Sequence, residues 1–277
     1  MSSKKTLIAG PWVGEFGWEL FAWHAYIRAL SKNFDKTVII ARNASFQLYN
    51  DFCDEFYGFN PNTGLADAFF MHNLDINRAL KKVIQENKLS LKGCALAPPR
   101  RIGFPPNTHF TEEIPFGNLK IKPEYITFGS LKEKKYDYVF HIRDRELRKE
   151  DNWSLNKWEK LAFHLKREKD VKIACIGTKK ESGWIEGTED LRDIDLSETF
   201  DVLRNAKCSF GPSSGPMHLA SLCGCPHVVW SKPENRTRYQ TNWNPLSTPI
   251  LFLDEFSWHP ESDYVYAKFK QWKLNNK

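Results

Sequence analysis

Two runs of alternating strand and helix signals, separated by a proline-rich stretch, constrain this chain more than anything else in it. In the first run, apolar residues 6–9 end at Gly10, and apolar residues then recur at helical spacing over 16–30 (Phe16, Leu20, Trp23, Ile27, Leu30). The β-branched run 37–41 follows and reads as a buried strand. Strand, glycine-containing loop, helix and strand make a βαβ unit, and such units build parallel sheets. A further helix is expected over 76–86, with a weaker strand signal at 66–71. The second run is longer. Strands at 136–142, 171–176, 207–210 and 226–230 alternate with helices at 155–167, 197–206 and 214–222. Ser154 or Asn152 should cap the first of these helices and Ser197 the second. A short strand at 250–253 and an aromatic-bearing helix at 262–274 close the pattern.

Between the runs stand Pro98, Pro99, Pro105, Pro106, Pro115 and Pro123, with Gly103 and Gly117 among them. No helix survives that density of proline, so a long irregular connector is expected. The expected fold class is therefore α/β, with two Rossmann-like lobes facing across a cleft. The first lobe spans 1–125, including the connector from about residue 98, and the second spans 126–277. The terminal helix belongs to the second and could cross back to the first. A chain of 277 residues is the right length for two such lobes. Ligands of such sheets bind at the carboxyl ends of the strands, so the loops there are the place to look for chemistry.

Composition removes several other classes. Aromatic residues make up 14% and are spread along the chain, which excludes disorder for most of it. No apolar run reaches the length of a membrane span. The start carries Lys4 and Lys5, but its apolar stretch is broken by Pro11 and followed by Glu15, too short for a signal peptide. A cytoplasmic protein is expected. The six cysteines include one close pair, Cys223 and Cys225, with a single residue between them; zinc sites and redox motifs use wider spacing. No H-x-x-x-H pair occurs. Asp193-Ile194-Asp195 has the form of a D-x-D metal motif, but it precedes a helix in a Rossmann-like pattern and reads as a loop and cap. No metal and no cofactor are expected. The net charge of +6 is even: 15 basic to 12 acidic residues in 1–130, and 25 to 22 in 131–277. Mild basicity of that kind suits an anionic ligand such as a nucleotide.

The most informative loop is Phe210-Gly211-Pro212-Ser213-Ser214-Gly215-Pro216-Met217-His218-Leu219-Ala220. A strand ends, small residues let backbone approach a ligand, and a helix begins. Amide groups and the dipole at such a helix start attract anions, and Ser213 and Ser214 add hydroxyls. Together with Asp195-Leu196-Ser197 and Gly224-Cys225-Pro226, this stretch resembles the C-terminal lobe of the ADP-heptose:lipopolysaccharide heptosyltransferases. That family carries a D-T/S-G-x-M-H-L-A run. Gly215, Met217 and His218 match it, while Ser213 stands where the family has Asp.

The resemblance implies a GT-B glycosyltransferase whose donor diphosphate lies against Ser213, Ser214, Gly215, Pro216, Met217 and His218. It also implies a catalytic base in the loop after the first strand. There Gly14-Glu15-Phe16-Gly17 stands where the family has Gly-Asp, so Glu15 takes the base's place, with Glu19 one turn on as the competing carboxylate. His141-Ile142-Arg143 resembles the H-x-R segment of fucosyltransferases, which implies an arginine on the donor diphosphate. Gly14, Trp18, Lys157, Gly177, Arg236 and Arg238 are further candidates for donor or acceptor contacts.

These readings together predict a metal-independent glycosyltransferase. It would move a sugar from a nucleotide-sugar donor to an acceptor hydroxyl, with inversion by analogy with the family. The expected acceptor is a glycan. The alternatives are a hydroxymethylated base in DNA, which the small size and abundant tryptophan would suit, and a non-catalytic nucleotide- or sugar-binding protein of the same shape.

Overall fold

The computed structural model describes residues 5–12, 14–60, 75–99 and 109–275. The contacts divide the chain into two compact units, Met1–Tyr125 and Ile126–Lys277. The strand signal at 66–71 lies outside the described residues, as do Gly103, Pro105 and Pro106 of the connector.

The first unit is built on strands β1 (Thr6–Trp12), β2 (Lys36–Ala41), β3 (Glu55–Gly58) and β4 (Cys94–Ala97), all parallel, in the order β3-β2-β1-β4. Ile8, Val38 and Ile40 project onto the buried face of helix α3 (Ile76–Glu86). That helix places Ile76, Ala79, Leu80, Val83 and Ile84 on one side, the spacing of an amphipathic helix, and Asp75 caps it by accepting from the Arg78 amide at 3.1 Å. Gly10 is required in β1. It sits at φ +127°, and a Cβ there would lie 2.1 Å from the Ile40 carbonyl oxygen.

The helix expected over 16–30 is helical throughout, but not uniformly. Helix α1 (Phe16–Trp18) passes into a π-helical turn, Glu19–His24, and then into α2 (Ala25–Ser31). All six residues of the π turn are buried. Within it, Trp23 stacks on Trp12 with ring centroids 5.5 Å apart. A 3₁₀ segment, Asn43–Leu48, follows β2. The connector is not irregular throughout: β5 (Ile114–Phe116) and β6 (Leu119–Ile121) pair antiparallel around Gly117, which sits at φ +58°.

The second unit carries six parallel strands: β7 (Tyr138–Phe140), β8 (Ile173–Gly177), β9 (Glu189–Arg192), β10 (Cys208–Pro212), β11 (His227–Trp230) and β12 (Ile250–Leu253). Their order is β12-β11-β10-β7-β8-β9. Numbered within the unit this is 3-2-1-4-5-6, the Rossmann order, and its switch point falls between β7 and β10. The first unit's 3-2-1-4 order puts its own switch point between β1 and β4.

Helices α4 (Leu155–Leu165), α5 (Leu196–Arg204), α6 (Gly215–Leu222) and α7 (Ser262–Asn275) surround this sheet. Trp158, Leu161, Ala162 and Leu165 form one face of α4, against a core that includes Phe140, Trp153, Phe210 and Trp230. One expectation is corrected here. The cap of α5 is Asp195, not Ser197, because the helix opens one turn position earlier at Leu196. The terminal helix α7 belongs by its contacts to the second unit, where Val265 and Phe269 enter that unit's core and its first turn meets α4.

Candidate active site

At the second unit's switch point, the three strand ends of β7, β8 and β10 deliver one polar side chain each. His141 follows β7 directly, and its amide donates to the Phe210 carbonyl at 2.9 Å, extending the pairing with β10. Ser214 follows β10 and is the N-cap residue of α6, with extended backbone at φ −162° and ψ 168°. Its side chain does not cap the helix. Ser214 Oγ lies 2.9 Å from His141 Nδ1 instead. Ser182 comes from the loop after β8, held by a bridge to Arg143, and its Oγ lies 3.3 Å from His141 Nε2. Gly177 makes this possible. It ends β8 at φ +126°, and a Cβ there would meet Ser182 Oγ at 2.1 Å and the His141 ring at 3.3 Å.

His141 is buried, and burial, reinforced by the Arg143 and Arg145 guanidiniums, pulls its imidazole down to about 3. It is a neutral ring with one N–H to give and one lone pair to fill. The Ser214 amide donates to the Tyr239 hydroxyl at 3.0 Å, and the Ser213 amide donates to the Trp230 carbonyl at 3.0 Å. Pro216 has no amide hydrogen, so Gly215 and Met217 carry the remaining amides that helix geometry leaves without an intrahelical acceptor.

The structure sorts the other expected donor contacts. Met217 points into the interior, packed with Val229, Tyr239 and Phe252. His218 is buried too, stacked on Tyr239 with centroids 4.1 Å apart. Burial, with Arg238 and His227 nearby, holds its imidazole well below the usual histidine value. Both side chains therefore support the loop from beneath.

Arg143 is the residue expected on the donor diphosphate. It is 3% exposed, and its guanidinium donates to the Arg148 carbonyl at 2.9 Å, the Leu147 carbonyl at 3.1 Å and the Asn152 side chain. Its hydrogen bonds hold its own loop. Lys157 likewise donates to the His259 and Pro260 carbonyls at 3.2 and 3.3 Å and pairs with Glu261 at 2.8 Å. Arg236 forms a bidentate pair with Asp254 at 2.8 and 2.5 Å. Arg238 lies over the Trp243 ring, 5.0 Å from its centroid. Asp193 sits at φ +64° and accepts from the Lys179 amide at 3.0 Å, a loop-closing role. Among the described residues, no three His, Cys, Asp or Glu side chains converge as a metal-ligand set.

In the first unit, Glu15 stands between β1 and α1, at the amino end of the helical segment. Its carbonyl accepts the Glu19 amide at 3.0 Å, and its side chain is partly exposed. Trp18, also partly exposed, ends α1. The Gly14 carbonyl accepts from Arg42 at 2.6 Å.

Glu19 is a different kind of carboxylate. It is fully buried in the π turn, accepting from Ser45 at 2.9 Å and from Tyr49 at 2.8 Å. Burial pushes it up to about 7, partly offset by those hydrogen bonds and by Arg42. Glu19 is thus fastened at both oxygens and shut from solvent, whereas Glu15 is the partly exposed carboxylate of the pair.

Ser182, Tyr239, Arg42, Ser45 and Tyr49 were not among the expected site residues. Each reaches its place through a loop, a 3₁₀ segment or, for Tyr239, the π-helical turn Arg238–Asn242, none with a periodic signal, so only the folded chain brings them in.

No family model matches this sequence, and no curated protein does either. Solved structures do resemble it. A glycosyl transferase family 9 protein from Veillonella parvula matches over 99% of this chain and 98% of its own, at 12% identity and a TM-score of 0.63. The E. coli ADP-heptose lipopolysaccharide heptosyltransferase II matches over 98% and 99%, at 14% identity and a TM-score of 0.60. The E. coli heptosyltransferase WaaC, solved with ADP, matches over 99% and 100%, at 14% identity and a TM-score of 0.56. At these identities the likeness is one of fold: two Rossmann-like units, as in GT-B glycosyltransferases.

Proposed function

We propose that this protein is a metal-independent, inverting glycosyltransferase that moves a sugar from a nucleotide-sugar donor to a hydroxyl of a glycan. The observation that carries the reading is the Rossmann strand order of the second unit, with Ser214 and the start of α6 at its switch point. Nucleotide diphosphates bind at such places through amides and hydroxyls at a helix start. In this reading the Gly215 and Met217 amides and the Ser213 and Ser214 hydroxyls receive the donor diphosphate. The helix dipole stabilises the negative charge that builds on it as the glycosidic bond breaks, so no dication is called for. Glu15 takes the proton of the attacking hydroxyl. Attack opposite the departing diphosphate inverts the anomeric centre.

The acceptor follows from charge. An excess of +6 spread evenly over the chain suits one diphosphate better than a DNA backbone, which draws on concentrated basic patches.

The test is product analysis with UDP-, GDP-, ADP- and CMP-sugars against glycan and hydroxymethylated DNA acceptors. Free nucleotide together with a glycosylated glycan is expected. Glu15→Gln should lower kcat on the order of 10²–10⁴-fold with donor binding kept. Full activity in both Glu15→Gln and Glu15→Ala would remove Glu15 from the mechanism. A glycosylated DNA product would replace the glycan, and donor binding without any transfer would leave only a binding protein.

A further inference from the structure

We propose that His141 is a positioning residue that fixes the direction of the Ser214 hydroxyl, so that its proton is always turned toward the donor's diphosphate. The inference rests on the reading of the Ser214 loop as the diphosphate site, and adds a tautomer and a donor chain that the reading does not require.

The argument is a count of protons. Ser214 Oγ–H has one proton to give. Facing an anion, it must give it to the anion, and then its 2.9 Å contact with His141 Nδ1 holds only if Nδ1 carries a proton. The ring is neutral at any working pH, since burial and the Arg143 and Arg145 charges oppose a second proton. Nε2 must therefore accept, and the hydroxyl 3.3 Å away on Ser182 is the group that can donate to it. The chain runs in one sense: Ser182 hydroxyl to Nε2, Nδ1–H to Ser214, Ser214 hydroxyl to the phosphate oxygen.

The fold fixes each link. His141 is anchored by its amide to the Phe210 carbonyl, and Ser182 by the bridge to Arg143. Gly177 leaves the space that Ser182 and the imidazole share. With the opposite tautomer Ser214 would give its proton to Nδ1 and show the anion only lone pairs.

The test uses inorganic pyrophosphate as a probe that carries the diphosphate without base or sugar. Imidazole ¹⁵N spectra of the pyrophosphate-bound protein should show His141 protonated at Nδ1 and bare at Nε2. His141→Ala and His141→Gln should each weaken pyrophosphate binding by up to about tenfold, the upper end of what one neutral hydrogen bond behind the anion-facing hydroxyl is worth. His141→Asn should recover most of that loss, because its amide nitrogen stands where Nδ1 stands and can donate to Ser214. A proton on Nε2 in the bound protein, or equal affinity in His141→Ala and wild type, would overturn the inference. Sugar transfer that persists in the wild type alongside any of these results would leave the proposed function standing. Pyrophosphate binding with the expected tautomer but no transfer would do the reverse.

Discussion

Glu15 and Glu19 lie one helical turn apart, and the difference between them is solvent. Glu19 is sealed in the π turn with its carboxylate pushed up to about 7. Its pKa is raised in the folded protein, so the stabilising protonated state is fully present below about 4.5 and lost as pH climbs through about 7. Replacing it with Gln removes that titration. The unfolding free energy of the wild type should therefore fall relative to Glu19→Gln as pH rises from 4.5 to 7, by on the order of 3 kcal/mol. Denaturant melts at pH 5 and pH 8 check this, and a pH-independent difference would contradict it. Gly177 is the second residue with a sharp forecast. Gly177→Ala meets both a left-handed φ and the Ser182 hydroxyl, and should cost about 1–3 kcal/mol while weakening nucleotide binding through the displaced His141. A melt and a binding titration on the same variant read both effects.

At the scale of elements, periodicity was legible and edges were not. The helix at 76–86 and the strand at 250–253 stand as the pattern implies, because each has one continuous apolar face or run. Strand β9 reads Glu-Asp-Leu-Arg, an exposed edge with no apolar alternation, and so left no trace in the sequence. The β5–β6 hairpin did carry a signal. Gly117-Asn118 between Phe116 and Leu119 is a two-residue turn sequence, masked by the prolines around it. The π turn has no signature distinct from an α-helix. In the second unit, Trp153, Trp158, Trp230, Trp243 and Trp258 are buried, while Trp184 is exposed. Trp158 is fully buried against Phe140, Trp153 and Trp230, with ring centroids 4.9 to 5.2 Å away. Trp158→Ala should destabilise that unit by about 3–5 kcal/mol, measured by chemical denaturation. A loss below about 1 kcal/mol would mean that the cluster repacks.

For the whole molecule, the sequence gives away the loop that matters more readily than the residues that serve it. Strand order sets the switch points, and the Gly/Ser-rich helix start could be found by eye because it follows a strand. What could not be read was which charges are already engaged. Arg143, Lys157 and Arg236 look like donor contacts in one dimension, and fold into hydrogen bonds with their own neighbourhood. In the proposed reading, the donor diphosphate is therefore left to the amides and hydroxyls at the start of α6. The most direct measurement is a thermal-shift panel of ADP, UDP, GDP and CMP with their sugars, on the wild type and on Ser214→Ala. One nucleotide should raise the wild-type melting temperature by several degrees at roughly a hundredfold its Kd, with a smaller rise in the variant. No shift with any of them, or an equal shift in Ser214→Ala, would contradict a donor site at this switch point.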